Sequence, residues 1–238
     1  MRRIELKFNI KVAVLIISSL MIFAIYNINN YTNLKNEKSI ICMETKGKVK
    51  AKAKKTYITK NSSGAYNVLG TIVVNKKYGL SKDYTYKNNK QMFDKATNAF
   101  NKMQQDAQKD GINLYIISRY RSYYLQKWLY DKYKSESKDV DTFSAKAGYS
   151  EHQTGLAFDL NDSKTSVRDS FEFTDAYKWL KENAYKYGFI LRYPQRKASI
   201  TNHAYDAHIY RYVGKSLAKS LHDSQLTLEE YQLQNEGE

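Results

Sequence analysis

One cysteine and one proline occur in the 238 residues of this chain. Cys42 therefore has no partner for an intrachain disulfide. Ile40 and Ile41 stand where small residues would precede a lipid-modified cysteine, so Cys42 is read as an ordinary thiol. Pro194, the sole proline, closes the apolar run Phe189 to Tyr193. No segment repeats, which excludes solenoids and propellers. Acidic residues are sparse as well: 24 against 39 lysines and arginines, a formal net charge of +15. No base-stacking or groove-reading motif accompanies that charge, so nucleic acid is not an expected partner.

Long hydrophobic runs are absent, with one exception near the N-terminus. Val12 to Tyr26 is almost unbroken and follows Arg2, Arg3, Lys7 and Lys11. Such a run is short for a membrane span and long for a buried core helix, so it is a signal segment or a short anchor. Positive charge before it, and none immediately after, puts the N-terminus inside and the remainder outside. Ile22 stands two residues before Ala24, where a small-x-small cleavage site needs a small residue. The expectation is a basic segment over 1–11 and an uncleaved single-pass anchor in the cell membrane over 12–28. A cleaved signal, releasing a secreted form, is the alternative. Residues 29–70 have the composition of a flexible linker, with a basic run from Lys46 to Lys55. Outside the membrane, its counter-charges are anionic lipid headgroups or anionic wall polymers.

The pattern from 71 to 222 is that of one folded domain, followed by a tail over 223–238. Thr71 to Val74 reads as a short strand. Phe93, Ala96, Phe100, Met103 and Ala107 recur at spacings of three and four, which predicts a helix over 91–109 ended by Asp110-Gly111. Ile112 to Ser118 reads as a strand. Leu125, Trp128, Leu129 and Tyr133 mark a second helix. Asn161 to Glu172 is polar and reads as a surface excursion. Thr174 can cap a third helix that stops at Gly188, with a strand over Phe189 to Tyr193. The implied fold is α+β, a small antiparallel sheet flanked by helices.

The stretch Tyr149 to Leu160 organises this domain. Leu156, Phe158 and Leu160 alternate with Gly155, Ala157 and Asp159, a period-two strand. A turn at Gly155 lets His152 and Asp159 converge. An imidazole and a carboxylate are a partial ligand set for zinc, which needs a third protein ligand and an open position if it is catalytic. A core histidine bonded to an aspartate would leave the same trace.

The string Ser150, His152, Gly155, Ala157, Asp159 resembles the motif Ser-x-His-x-x-Gly-x-Ala-x-Asp of the zinc D-alanyl-D-alanine carboxypeptidases and dipeptidases of the VanY type. Ser118 to Ser122 is similar to that family's Ser-Gly-Tyr-Arg-Ser, with Arg119 in place of its glycine, and Gln126 matches a following glutamine. Val74-Asn75-Lys76, Leu80 to Tyr84, Tyr187 to Pro194 and Arg211-Tyr212-Val213-Gly214 extend the likeness over about 71 to 221. The resemblance implies a zinc site carried by the antiparallel sheet, and a peptidase acting on peptidoglycan stem peptides. It implies Arg121 at the oxyanion, with Ser150 and Gln126 helping to hold the peptide's terminal carboxylate.

The segment before Arg211 departs from that pattern. The family carries Glu-Pro-Trp-His and one residue before Arg-Tyr-Val-Gly, whereas here Asp206-Ala207-His208-Ile209-Tyr210 stands. In strict register the family's histidine falls on Ile209. The alternative shifts His208 into place as the third ligand, a bulge absorbing the offset, with Asp206 as general base on the same face. That alternative is adopted as the expectation, since Ile209 cannot bind zinc, and His203 is the outside candidate. The expected activity is removal of the terminal D-alanine by a D,D-carboxypeptidase. A D-alanyl-D-alanine dipeptidase, an L,D-carboxypeptidase or a non-catalytic wall-binding module are the alternatives.

Overall fold

The computed structural model of the chain describes residues 58–60, 66–68, 71–163 and 168–236. The expected anchor and Cys42 lie outside those residues. Among them, no helix is long and apolar enough to cross a membrane. Three short strands come first: β1 (Ile58–Lys60), β2 (Tyr66–Val68) and β3 (Thr71–Ile72), paired antiparallel in that order. The expected linker over 29–70 therefore contains a hairpin from residue 58 onward. Its ladder is built from backbone groups, which leave no apolar periodicity to read.

Helix α1 (Lys90–Lys109) buries Ala96, Phe100, Met103 and Ala107, the stripe legible in the sequence. It lies against a four-stranded antiparallel sheet in the order β4 (Tyr115–Ser118), β5 (Ala157–Asn161), β7 (Asp206–Tyr212), β6 (Phe189–Tyr193). Between β4 and β5 run α2 (Tyr123–Glu136), the short α3 (Val140–Phe143) and a 3-10 turn over Glu151–Thr154. A second 3-10 turn (Arg168–Phe173) precedes α4 (Asp175–Asn183), which is capped by Thr174 accepting from the Tyr177 amide at 3.2 Å. The supposed surface excursion thus sends Phe171 into the core, where it is 1 % exposed.

Alternation divides β5 and β7 into two faces. Phe158, Leu160, Tyr210 and Tyr212 join Phe100, Met103, Leu180 and Phe189 in the main core. Ala157 and Ile209 cluster with Tyr193 on the other face. Burying an aliphatic or aromatic side chain contributes roughly 1.5–3 kcal/mol, so the first face anchors the sheet to α1 and α4. The second face is left for polar groups.

The C-terminus is not a loose tail. Helix α5 (Lys215–Ser224) is followed by α6 (Leu228–Glu236), and Leu228 is buried against Val73, Val213, Ala218 and Leu221. Glu229 enters the domain interior and forms two hydrogen bonds with Arg192, at 2.5 and 2.9 Å.

Candidate active site

A cavity of about 370 Å³ opens on the second face of the sheet, and Arg121, Gln126, Ser150, His152, Asp159, His203, Asp206 and Ile209 all line it. His152 sits in the 3-10 turn, whose four residues are all buried. Ser150 caps that turn, accepting from the His152 amide at 3.3 Å. The turn ends at Gly155 with φ +73, where a Cβ would come within 2.7 Å of the Phe93 ring. Only glycine meets both demands, and the chain reverses there into β5. Asp159 then projects from β5 towards His152.

The His152 Nδ1 is 2.6 Å from the carbonyl oxygen of Arg119. A carbonyl can only accept, so Nδ1 carries the proton. Nε2 is left facing Asp159 Oδ1 at 3.2 Å, both groups almost fully buried. In a neutral imidazole that nitrogen bears a lone pair, and two acceptors so close require a proton or a cation between them. This pair is built to share a positive charge.

Arg121 reaches the same place. Its guanidinium donates to Gln126 Oε1 at 2.8 Å and to Ser118 Oγ at 3.3 Å, and lies 4.0 Å from Asp159 Oδ2. Gln126 is in turn fixed by donating to the Ala145 carbonyl at 2.6 Å. Arg121 is thus a cation with a set direction, while Gln126 and Ser150 act through the neighbours they hold. The second cation of this loop, Arg119, turns away. Its guanidinium lies between the rings of Phe93 and Phe158, at 3.7 and 4.3 Å, and donates to Phe93 O, Thr97 Oγ1 and Gly155 O. Burial brings its pKa down to about 10.

The expected third ligand is not brought to this pair. Asp159 is paired directly with Ile209 across the β5–β7 ladder, and Phe158 with Tyr210. Directly opposed residues share a face, so Ile209 faces the cavity and His208 the core. The His208 ring stacks on Phe171 at 4.7 Å, and its Nδ1 bonds the Leu160 carbonyl at 2.8 Å. A register shift does occur nearby: between the Leu191–Tyr210 and Tyr193–Asp206 pairs, β7 sets Ala207, His208 and Ile209 against Arg192 alone on β6. It lets Asp206 reach the cavity, where Oδ1 accepts from the His208 amide at 2.9 Å. The expectation that Asp206 and His208 act from one face therefore fails at His208. His203 does line the cavity, its ring stacked on Tyr193 at 3.9 Å and its Nδ1 2.8 Å from Ala204 O. Burial pulls its pKa down. Among the described residues, no three His, Cys, Asp or Glu side chains are grouped to hold a metal ion.

Sequence reasoning passed over a buried ionic group behind the site. Glu151, next to His152, accepts from Arg192 Nε at 2.6 Å and from Arg211 Nη1. Glu229 closes the group on Arg192. Both arginine side chains are fully buried. The signal was present: two arginines stand inside strands that otherwise read as apolar and aromatic.

A four-stranded antiparallel sheet with a His–Asp pair, an arginine and a second aspartate around one cavity makes this a small α+β domain with a polar cleft on one face of its sheet. Residues 89–215 match the family described as VanY, D-alanyl-D-alanine carboxypeptidase, and the chain belongs to that family. It is 44% identical over 141 residues to the putative carboxypeptidase YodJ of Bacillus subtilis, covering 57% of this chain and 51% of that protein. The chain thus spans about half the length of this curated relative. Its structure is similar to that of an L,D-carboxypeptidase, DacB, of Streptococcus pneumoniae (TM-score 0.61, 33% identity, covering 73% of this chain and 94% of that one). It is also similar to that of a vancomycin-resistance D,D-pentapeptidase, VanY, in complex with Zn(II) (TM-score 0.50, 26% identity, covering 74% and 90%).

Proposed function

We propose that the chain is a D,D-carboxypeptidase that removes the terminal D-alanine from peptidoglycan stem peptides. The observation carrying this reading is the convergence of Arg121, His152, Asp159 and Asp206 in one cavity. Family membership supports the bond class. The similar VanY structure is in complex with Zn(II), and zinc bound at such a site would lower the pKa of a water to about 7. His152 and Asp159 suit two of its positions. Among the described residues no third donor is grouped with them, so the donor set present does not fit a three-ligand site.

The remaining roles belong to the chain itself. Arg121, held by Gln126 and Ser118, offers a fixed cation to the oxygen that gains charge when water adds to the scissile carbonyl. Asp206, which lines the same cavity, would take the proton of that water and return it to the leaving amine, releasing D-alanine and the shortened peptide. The cavity walls include Tyr133, Phe143 and Tyr193, apolar flanks for a short peptide end. An N-terminal anchor over 12–28 would hold this domain outside the cell, beside its polymeric substrate.

An L,D reading stands beside this one because DacB, an L,D-carboxypeptidase, shares the fold over 94% of its chain. One experiment addresses both. Purified stem pentapeptide and tetrapeptide are incubated with the full chain in the presence of zinc and followed by mass spectrometry. Loss of one D-alanine from the pentapeptide is expected. Cleavage of the tetrapeptide alone would establish the L,D reading, and cleavage of neither would refute the hydrolase.

A further inference from the structure

The cavity-facing row of the sheet runs Asp159 on β5, Ile209 beside it on β7, and Tyr193 on β6. The place on β7 directly beside Asp159, from which a third metal ligand would project, is held by Ile209, since opposed residues of an antiparallel pair lie about 4.5–5.5 Å apart at Cβ. Neither Asp206 nor His203 is grouped with the pair to hold a metal ion. Ile209 presents only hydrocarbon, and it is 9% exposed. The imidazole one residue earlier is on the far face, stacked on Phe171 and bonded to Leu160 O. Moving it across would require a one-residue slip of β7, which would turn Tyr210 and Tyr212 out of the core and bring Arg211 into it. Arg211 is fully buried on the cavity side, donating to Glu151 and to the Ile72 carbonyl at 2.5 Å. The slip is therefore opposed by the buried ion pair as well as by the core.

We infer that Ile209 occupies the third-ligand position of this site, so that the cavity holds zinc through His152 and Asp159 alone and releases it readily. The inference rests on reading this cavity as a metal-type peptidase site. Loss of an outer-shell partner already costs about 10–100-fold in metal affinity, so a missing imidazole in contact with the metal costs at least about a hundredfold. His203 cannot substitute in this arrangement. Its ring lies flat on Tyr193 at 12°, and hydrogen bonding engages it with the backbone of Ala204 and of Phe143.

The test is metal binding, measured separately from turnover. The full chain and its Ile209→His variant are dialysed and assayed for zinc by elemental analysis, then titrated with zinc against a chelator of known affinity. The unaltered chain should emerge nearly free of zinc, while Ile209→His should retain about one per chain, with affinity raised at least about a hundredfold. Adding Asp159→Asn to that variant should abolish the gain, and circular dichroism reports whether each variant is folded. Retention of about one zinc by the unaltered chain would overturn the inference whatever the variants do. Loss of that zinc in His203→Ala would then identify the ligand. Failure to cleave stem peptides at saturating zinc would sink the hydrolase reading, while the zinc titration would still decide this one.

Discussion

Glu229→Gln tests whether the buried ionic group holds the C-terminal helix to the site. Glu229 accepts from both terminal nitrogens of Arg192 and from Asn75 at 3.2 Å. In the native protein two guanidinium groups face two carboxylates. The substitution leaves Arg192 and Arg211 sharing Glu151 alone, a buried group with an uncompensated positive charge. Removing one partner of a buried pair typically costs about 3–5 kcal/mol. The amide oxygen of glutamine retains one acceptor, which places the expected loss near the low end, about 3 kcal/mol. In a domain of this size each kcal/mol lowers Tm by about 2–4 °C, so the variant should melt roughly 6–12 °C earlier by calorimetry. Burial alone would raise the pKa of Glu229, but Arg192 and Asn75 more than offset this, and it lies below its ordinary value of 4.5. A depressed carboxyl stabilises the fold above about pH 4.5 and ceases to do so as pH falls through its folded pKa. The gap between the two proteins should therefore narrow on acidification below that point. Lys197→Ala removes a half-exposed pair with Glu230 on the same helix and serves as control, with an expected cost under about 1 kcal/mol. If Glu229→Gln melts within about 2 °C of the native protein at pH 7, the reasoning fails.

His208→Ala should leave zinc affinity unchanged but lower stability by about 1–3 kcal/mol in urea denaturation, because it removes a buried ring stacked on Phe171; a loss of zinc binding instead would place His208 at the metal. Asp206→Asn should slow peptide cleavage at saturating zinc by about a hundredfold or more, with little change in zinc affinity; an unchanged kcat would remove Asp206 from proton transfer. The full-length chain should partition with membranes after cell fractionation, and a mature form found only in the medium would show that the run from Val12 to Tyr26 is cleaved.

Short-range features were legible in the chain itself. The stripe on α1, the Thr174 cap, the stop at Gly188 and the turn at Gly155 depend on residues within a few positions of each other, and periodicity or backbone freedom reports them directly. His152 and Asp159 also belong here, since one turn and one strand bring them together. Which residue of β7 faces that pair was not local. Both His208 and Ile209 are reasonable on an isolated strand, and only the ladder to β5, held in place by Tyr210 in the core and Arg211 on Glu151, decides between them. The buried arginines illustrate the same limit, because their partners lie 37 and 60 residues away in sequence. Composition and pattern determined that an α+β domain with a His–Asp pair would form. Tertiary pairing alone decided what stands beside that pair, because a strand's two faces are exchanged by a single residue of register.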